Sequence, residues 1–295
     1  MSDPQIVALR AKLAARPRAD DYRQRRKDAD ARGLAYGLAA DVAVEPTSVG
    51  DIKAEWTLTP GADRAAALLY LHGGGYVIGS LDSHRHLVAE AGRALGVAAL
   101  ALDYRLAPEH PFPAAVEDAL AGYRYLLVRG IAPGRIVIAG DSAGGGLVVA
   151  AMLKIRDAGL AQPGAGWCIS PWVDMEAIGE TMDSLSAVDP MVQKANLLEM
   201  AKLYLNGADP RSPLAAPIYA DLKGLAPLLI QVGAAETLLD DAIRLARAAG
   251  LADLSVDLQI WPEMVHVWPL FHPELDAGRR ALTAGAAALR ALAAG

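Results

Sequence analysis

Short apolar runs alternate with longer mixed runs through most of this chain. Residues 65–71, 97–102, 135–139, 165–170 and 228–232 are almost unbroken in apolar character, as strands buried on both faces of a parallel sheet are. Residues 51–58 and 254–260 alternate apolar and polar positions instead, which predicts strands with one exposed face. Between these lie runs long enough for helices, at 83–95, 114–129, 146–156 and 276–292. Regular strand–helix alternation predicts an α/β fold with a mainly parallel, doubly wound sheet. Two stretches break the rhythm. Residues 1–45 predict two helices, near 5–15 and 20–32. Ile6, Val7, Leu9 and Leu13 give the first an apolar stripe; the second is mostly charged. Residues 172–227 far exceed the roughly 10–12 residues that a crossover needs, and they carry a helical stretch at 192–205. The chain is therefore divided into N-terminal helices (1–45), a first part of the core (46–171), an insertion (172–215) and a second part of the core (216–295). The insertion reads as a lid, and it is the expected partner for the apolar stripe of the first helix.

Composition narrows the function classes. The 295 residues are 53% hydrophobic, which easily fills a large core, and the net charge of −6 comes from interleaved signs. Nothing in that pattern suggests a nucleic-acid surface. No apolar run approaches the roughly 18 residues of a membrane span, and the polar N-terminus does not read as a signal peptide. The single cysteine, Cys168, is expected to be a small buried hydrophobe, and without an intramolecular partner it fits a cytoplasmic setting. The expected partner is a small molecule, with no nucleic acid or membrane, and a homodimer is left open.

The chemistry is concentrated at Gly140, Asp141, Ser142, Ala143, Gly144 and Gly145, where a strand runs straight into a helix. Gly-x-Ser-x-Gly at that junction is the nucleophile-elbow pattern: the turn is too tight for side chains at the glycines, and it lifts the hydroxyl above a helix N-terminus. A glycine-rich turn with an N-capping serine would use the same residues. After the strand at 65–71 come His72, Gly73, Gly74, Gly75 and Tyr76. Three successive glycines let backbone N–H groups approach a ligand closely. A phosphate cradle should continue into Gly-Lys-Ser/Thr, and here the chain continues Val77, Ile78, Gly79, Ser80. An oxyanion hole is the better reading beside a downstream elbow, with a plain turn as the alternative.

Taken together, His72 to Gly75, Asp103 to Glu109 with Pro111, Phe112 and Pro113, and Gly140 to Gly145 resemble the bacterial hormone-sensitive-lipase-like esterases of the α/β-hydrolase fold. Ser170 to Asp174 and Ala220 to Leu222 extend the resemblance, which runs from about Ala66 to His266. It implies hydrolysis of small esters, without a cofactor, by a Ser–His–acid triad beneath a helical cap made of the N-terminal helices and the insertion. It also implies an oxyanion hole built from the backbone N–H groups of Gly74, Gly75 and Ala143. In this fold the triad follows in the order serine, acid, histidine. Of the six histidines only His266 and His272 come late enough, and His266 lies in the loop after the last strand. Glu236, Asp240 and Asp241 compete as the acid. Thr237 and Asp240 have capping-box spacing, which gives Asp240 a structural task and leaves Glu236, although the family usually carries aspartate there. His72 is expected to brace the glycine loop, and Asp141, Asp103 and Arg105 to be structural. Tyr76, Trp172 and Met191 are placed along the pocket. No His/Cys/Asp/Glu cluster has metal-ligand spacing. The expected activity is that of a serine carboxylesterase acting on small, apolar, short- to medium-chain esters. A lactonase, thioesterase or small-molecule deacetylase would use the same groups, while a non-catalytic ligand-binding relative would not need His266.

Overall fold

The apolar runs become the strands of a single sheet. A computed structural model of the chain describes residues 3–292; the first and last residues of the two terminal segments expected above lie outside that range. In chain order the elements are α1 (Pro4–Ala14), α2 (Tyr22–Tyr36), β1 (Ala43–Val49), β2 (Ile52–Leu58), β3 (Asp63–Leu71), α3 (Leu81–Leu95) and β4 (Val97–Leu102). They continue with α4 (Ala114–Val128), β5 (Ile136–Asp141), α5 (Ala143–Asp157), β6 (Ala165–Ile169), α6 (Thr181–Ser184) and α7 (Lys194–Leu205). The last four are β7 (Leu228–Gly233), α8 (Leu239–Leu251), β8 (Val256–Trp261) and α9 (Asp276–Leu292). The strand order is β1-β2-β4-β3-β5-β6-β7-β8; β1–β2 and β2–β4 are antiparallel and the remaining pairs parallel.

The inner strands are buried on both faces. Leu68, Tyr70, Trp167 and Leu229 meet α3 and α9 on one side. Leu69, Leu71, Ile138, Cys168 and Ile230 meet α4, α5 and α8 on the other. Cys168 is a fully buried free thiol, and burial pushes its pKa well up. Register then decides where the loops emerge. Leu71 pairs with Gly140, Asp141 with Ile169, and Gly233 with Trp261, so β3, β5, β6, β7 and β8 end along one edge. The chain leaves β3 toward β4 on one side and returns to β5 on the other. The carboxyl ends of β3 and β5 therefore flank the point where the winding reverses, the usual crevice of an open α/β sheet.

Two expectations need correction. The core begins before residue 46, because residues 43–49 form β1. Pro46 and the polar neighbours obscured it, but β1 is an edge strand paired only with β2, where a missing N–H is tolerated. The first helix does not use the insertion as its main partner. Ile6, Leu9 and Leu13 pack against Met264, Val265, Trp268, Phe271 and Leu275, the segment that follows β8, with Met191 of the insertion only at the margin. The charged α2 docks through its arginines: Arg26 donates to the carbonyls of Val77 and Ala107 and pairs with Glu109 at 2.8 Å.

Candidate active site

Ser142 sits between β5 and α5 with φ 54° and ψ −121°, a conformation that a non-glycine residue holds only where its surroundings fix it. The surroundings do: its N–H donates to the Ile169 carbonyl at 2.8 Å, and its own carbonyl accepts from Trp172 at 2.9 Å. A Cβ on Gly140 would strike the carbonyls of Leu71 and Gly144, and one on Gly144 would strike the Leu71 carbonyl. Those contacts account for the glycines on either side. The Ser142 side chain makes no capping hydrogen bond to α5, so the N-cap alternative does not describe it. Helix α5 begins at Ala143, three residues earlier than its apolar run, and the Ala143 N–H belongs to the first turn, which has no intrahelical acceptor.

The glycine loop lies against the elbow. Gly74 and Gly75 have φ of 121° and 63°, and among the described residues no hydrogen bond occupies either N–H. A Cβ on Gly75 would strike Met200 of α7, so the insertion rests directly on this loop. Asp141 holds it from below, accepting from the Gly73 N–H at 3.1 Å and the Tyr70 hydroxyl at 2.9 Å, with His84 at 3.4 Å. Burial alone would raise the Asp141 pKa, but His84 and these donors bring it below its ordinary value. His72 bonds through Nδ1 to the Gly73 carbonyl at 2.8 Å and stacks on Tyr104 at 4.2 Å. Burial drops its pKa to about 3, which keeps it neutral. Arg105 is tied to Asp118 at 2.7 Å, and the Asp103 N–H donates to the Lys53 carbonyl.

The three competing carboxylates separate clearly. Glu236 Oε2 lies 2.5 Å from His266 Nδ1, and both side chains are buried. Its other oxygen, Oε1, accepts from the Ser170 hydroxyl at 2.7 Å and the Gly233 N–H at 2.6 Å. Asp241 accepts the N–H groups of Val173 and Asp174 instead, and burial pushes its pKa up to about 8. Asp240 accepts from the Glu180 N–H. The expected Thr237–Asp240 capping box is not formed: Leu238 occupies the cap position, and the Thr237 N–H and hydroxyl donate to Asp189. A carboxylate on Nδ1 fixes the imidazole tautomer and leaves Nε2 as the acceptor. Burial opposes the imidazolium, but Glu236, assisted by Asp189 and Asp141, outweighs it and raises the His266 pKa.

Two positioning groups escaped the sequence reading. Ser170, at φ 45°, links Glu236 to the His266 loop, since its Oγ also accepts from the Val267 N–H at 3.0 Å. Its place in the Ser170 to Asp174 segment was its only sequence signal. Asp189 joins the insertion to the residue after Glu236, a contact between distant segments that no local pattern marks. Ser142, His266, Gly74 and Gly75 all line a cavity of about 550 Å³, large enough for a small organic molecule. Residues of α1 and α2 line it too, as do Pro190, Met191, Asn196, Leu197 and Met200 of the insertion. Met191 thus borders the cavity as expected. Tyr76 and Trp172 do not: they are buried beneath it, Tyr76 stacked on Tyr204 at 3.8 Å.

Comparison with known proteins points the same way as this geometry. A family model described as alpha/beta hydrolase fold matches residues 68–270. An acetyl-hydrolase of Streptomyces hygroscopicus is 46% identical over 98% of this chain and 97% of its own length. An esterase of Acinetobacter venetianus is 31% identical over 82% of this chain and 80% of its own. Among solved structures, an esterase from the bacterial hormone-sensitive lipase (HSL) family superposes with a TM-score of 0.95 at 46% identity, covering 99% of both chains. EstE5, soaked with p-nitrophenyl butyrate, superposes with a TM-score of 0.96 at 45% identity over the whole of both chains.

Proposed function

The chain belongs to the α/β-hydrolase fold, among its bacterial hormone-sensitive-lipase-like members, and is a carboxylic ester hydrolase; from that premise we propose that Ser142, His266 and Glu236 are its catalytic triad. The observation that carries this reading is the 2.5 Å contact of Glu236 with His266 Nδ1, at a histidine that shares its cavity with the strained Ser142. His266 Nε2 takes the Ser142 proton as Oγ attacks the ester carbonyl, and Glu236 orients the imidazole and stabilises its cation. The free N–H groups of Gly74 and Gly75, with that of Ala143, receive the developing oxyanion. His266 then protonates the departing alcohol, and water, deprotonated by the same imidazole, releases the acid. His72 supports the glycine loop and stays out of the proton transfers.

Helices α1 and α2 and the insertion act as the cap that excludes water and walls the substrate, which suits small esters with apolar chains. The resemblance to an acetyl-hydrolase makes acetyl esters the first to try. Among the described residues no helix is long and apolar enough to cross a membrane; the cytoplasmic setting is part of this reading, and light scattering in solution decides between monomer and homodimer. The test of function is pre-steady-state release of p-nitrophenol from p-nitrophenyl acetate and butyrate. A burst equal to the enzyme concentration, followed by steady turnover, is expected. Absence of any release would favour a ligand-binding protein instead.

A further inference from the structure

The part of the cavity wall built by the N-terminal arm is cationic in a way that the hydrolytic reaction does not require. Arg16 and Arg18, in the loop between α1 and α2, and Arg25 and Arg32 of α2 all line the same cavity as Ser142, as does Lys12 of α1. Two of these charges are already answered: Lys12 pairs with Glu274 at 2.8 Å, and Arg25 with Glu199 at 3.3 Å. Arg16, Arg18 and Arg32 have no ion pair or side-chain hydrogen bond among the described residues. The carboxylates near them make their direct hydrogen bonds elsewhere, although Asp28, which also lines the cavity, and Asp30 still attract Arg32, and Glu274 attracts Arg16, at longer range. Asp28 accepts from Gln24, Asp30 from Ser80, and Glu274 from both Lys12 and Tyr36. Asp141, which also lines the cavity, is held by Tyr70, Gly73 and His84.

Arg16 and Arg32 are half-buried, Arg18 exposed. Guanidinium groups that line a cavity without a direct ion pair keep their donors available to a partner from outside the chain. Burial lowers the Arg32 pKa, and the neighbouring Arg16 charge lowers it further against the opposite pull of Asp28 and Asp30, so the two guanidinium groups repel. An anion between them would remove that repulsion. Ile78, Leu197, Met200, Leu270 and Phe271 supply apolar wall in the same cavity.

We propose that Arg16 and Arg32 bind a carboxylate carried by the substrate, so that the preferred esters have an apolar spacer between the scissile ester and an anionic end. This rests on the ester-hydrolase reading and narrows its substrate class. A planar carboxylate suits guanidinium donors, and the apolar wall suits the spacer.

The test uses two matched pairs of esters on the full-length protein. The anion is on the acyl side in the p-nitrophenyl monoester of adipic acid, compared with p-nitrophenyl hexanoate. It is on the alcohol side in the acetyl ester of ω-hydroxyhexanoate, compared with that of ω-hydroxyhexanamide. Rates are expressed per active site, counted by titration with a serine-directed phosphonate, and each variant's fold is checked by its melting curve. In the wild type, kcat/KM should be higher for the anionic member of at least one pair. The Arg16→Gln/Arg32→Gln double variant should lower that anionic-to-neutral ratio by about tenfold or more, and Arg16→Lys/Arg32→Lys should restore part of it. Raising salt from about 0.05 to 0.5 M should reduce the wild-type ratio and leave the double glutamine variant's ratio nearly flat. If the double variant does not fold, the single variants Arg16→Gln and Arg32→Gln carry the same comparison. The proposal is overturned if the neutral esters are hydrolysed but neither anionic partner is preferred, or if the ratio is unmoved in the glutamine variants. No turnover of any neutral ester would instead overturn the esterase reading on which it rests.

Discussion

At the scale of single residues the account turns on Glu236. Removing its charge while keeping its shape, by Glu236→Gln, should lower kcat by about 10²–10⁴-fold, because an amide mis-sets the His266 tautomer and cannot stabilise the imidazolium. Asp240→Asn should barely change kcat and should cost about 1 kcal/mol or less, since the amide oxygen can still accept from the Glu180 N–H and only the negative charge in the first turn of α8 is lost. Steady-state kinetics beside denaturant unfolding separate the two, and the reverse pattern would move the acid to Asp240. The raised His266 pKa fixes the direction of the pH profile. The base must be neutral, so kcat/KM should fall as pH drops, with a midpoint above 6.5, the ordinary histidine value, and Glu236→Gln should move that midpoint down. Stability runs the opposite way. The charged pair helps the fold fully below the unfolded-state pKa, and that help is lost as pH rises through the raised folded-state value.

The sequence favours Glu236 because it stands in the loop after a strand end, with Thr237 and Asp240 offering a capping pattern beyond it, and the structure pairs that glutamate with His266. That capping pattern was itself misleading, since Asp189 from the insertion took the Thr237 donors. Local spacing reports what a residue can bond within its own segment. It does not report a long-range competitor. Ser170 was hidden for the same reason: its contacts are to Glu236 and Val267, far along the chain.

At the scale of elements, the N-terminal arm is where sequence pattern said most about the face and least about the partner. The stripe of Ile6, Leu9 and Leu13 was legible, but periodicity names the buried side of a helix without naming what covers it. The structure puts that stripe on the segment following β8, which begins just before His266 and runs into α9. Leu9→Ala should therefore destabilise the protein by about 2–4 kcal/mol, as for other buried leucines, measured by chemical denaturation. A loss below about 1 kcal/mol would mean that α1 is not firmly docked. Deleting residues 1–36 removes both arm helices and exposes Trp268 and Phe271 beside the His266 loop. Activity on longer-chain esters should fall more than activity on acetate esters, and the truncated protein should associate more readily. An unchanged chain-length profile would remove the arm from the cap.

At the scale of the whole molecule, the sheet does the assembling. Glycine loop, elbow, Ser170, Glu236 and His266 follow five different strands, and they meet because parallel register brings the carboxyl ends of those strands to one edge. Strand–helix alternation in the sequence is enough to predict that edge. The cationic wall was not predictable, because each arginine of α2 has the same sequence signature whether it pairs with a carboxylate or faces a cavity.

The central claim is that one serine, activated by His266 and Glu236, carries the chemistry, and covalent capture tests it most directly. The native protein is incubated with a p-nitrophenyl phosphonate, digested, and the modified peptide located by mass spectrometry, with Ser142→Ala treated in parallel. The account predicts one adduct per chain, on Ser142, with ester turnover lost in proportion to labelling. It predicts no adduct in folded Ser142→Ala, and a kcat at least about 10³-fold lower. Labelling at another residue, or near-normal turnover by Ser142→Ala, would contradict it.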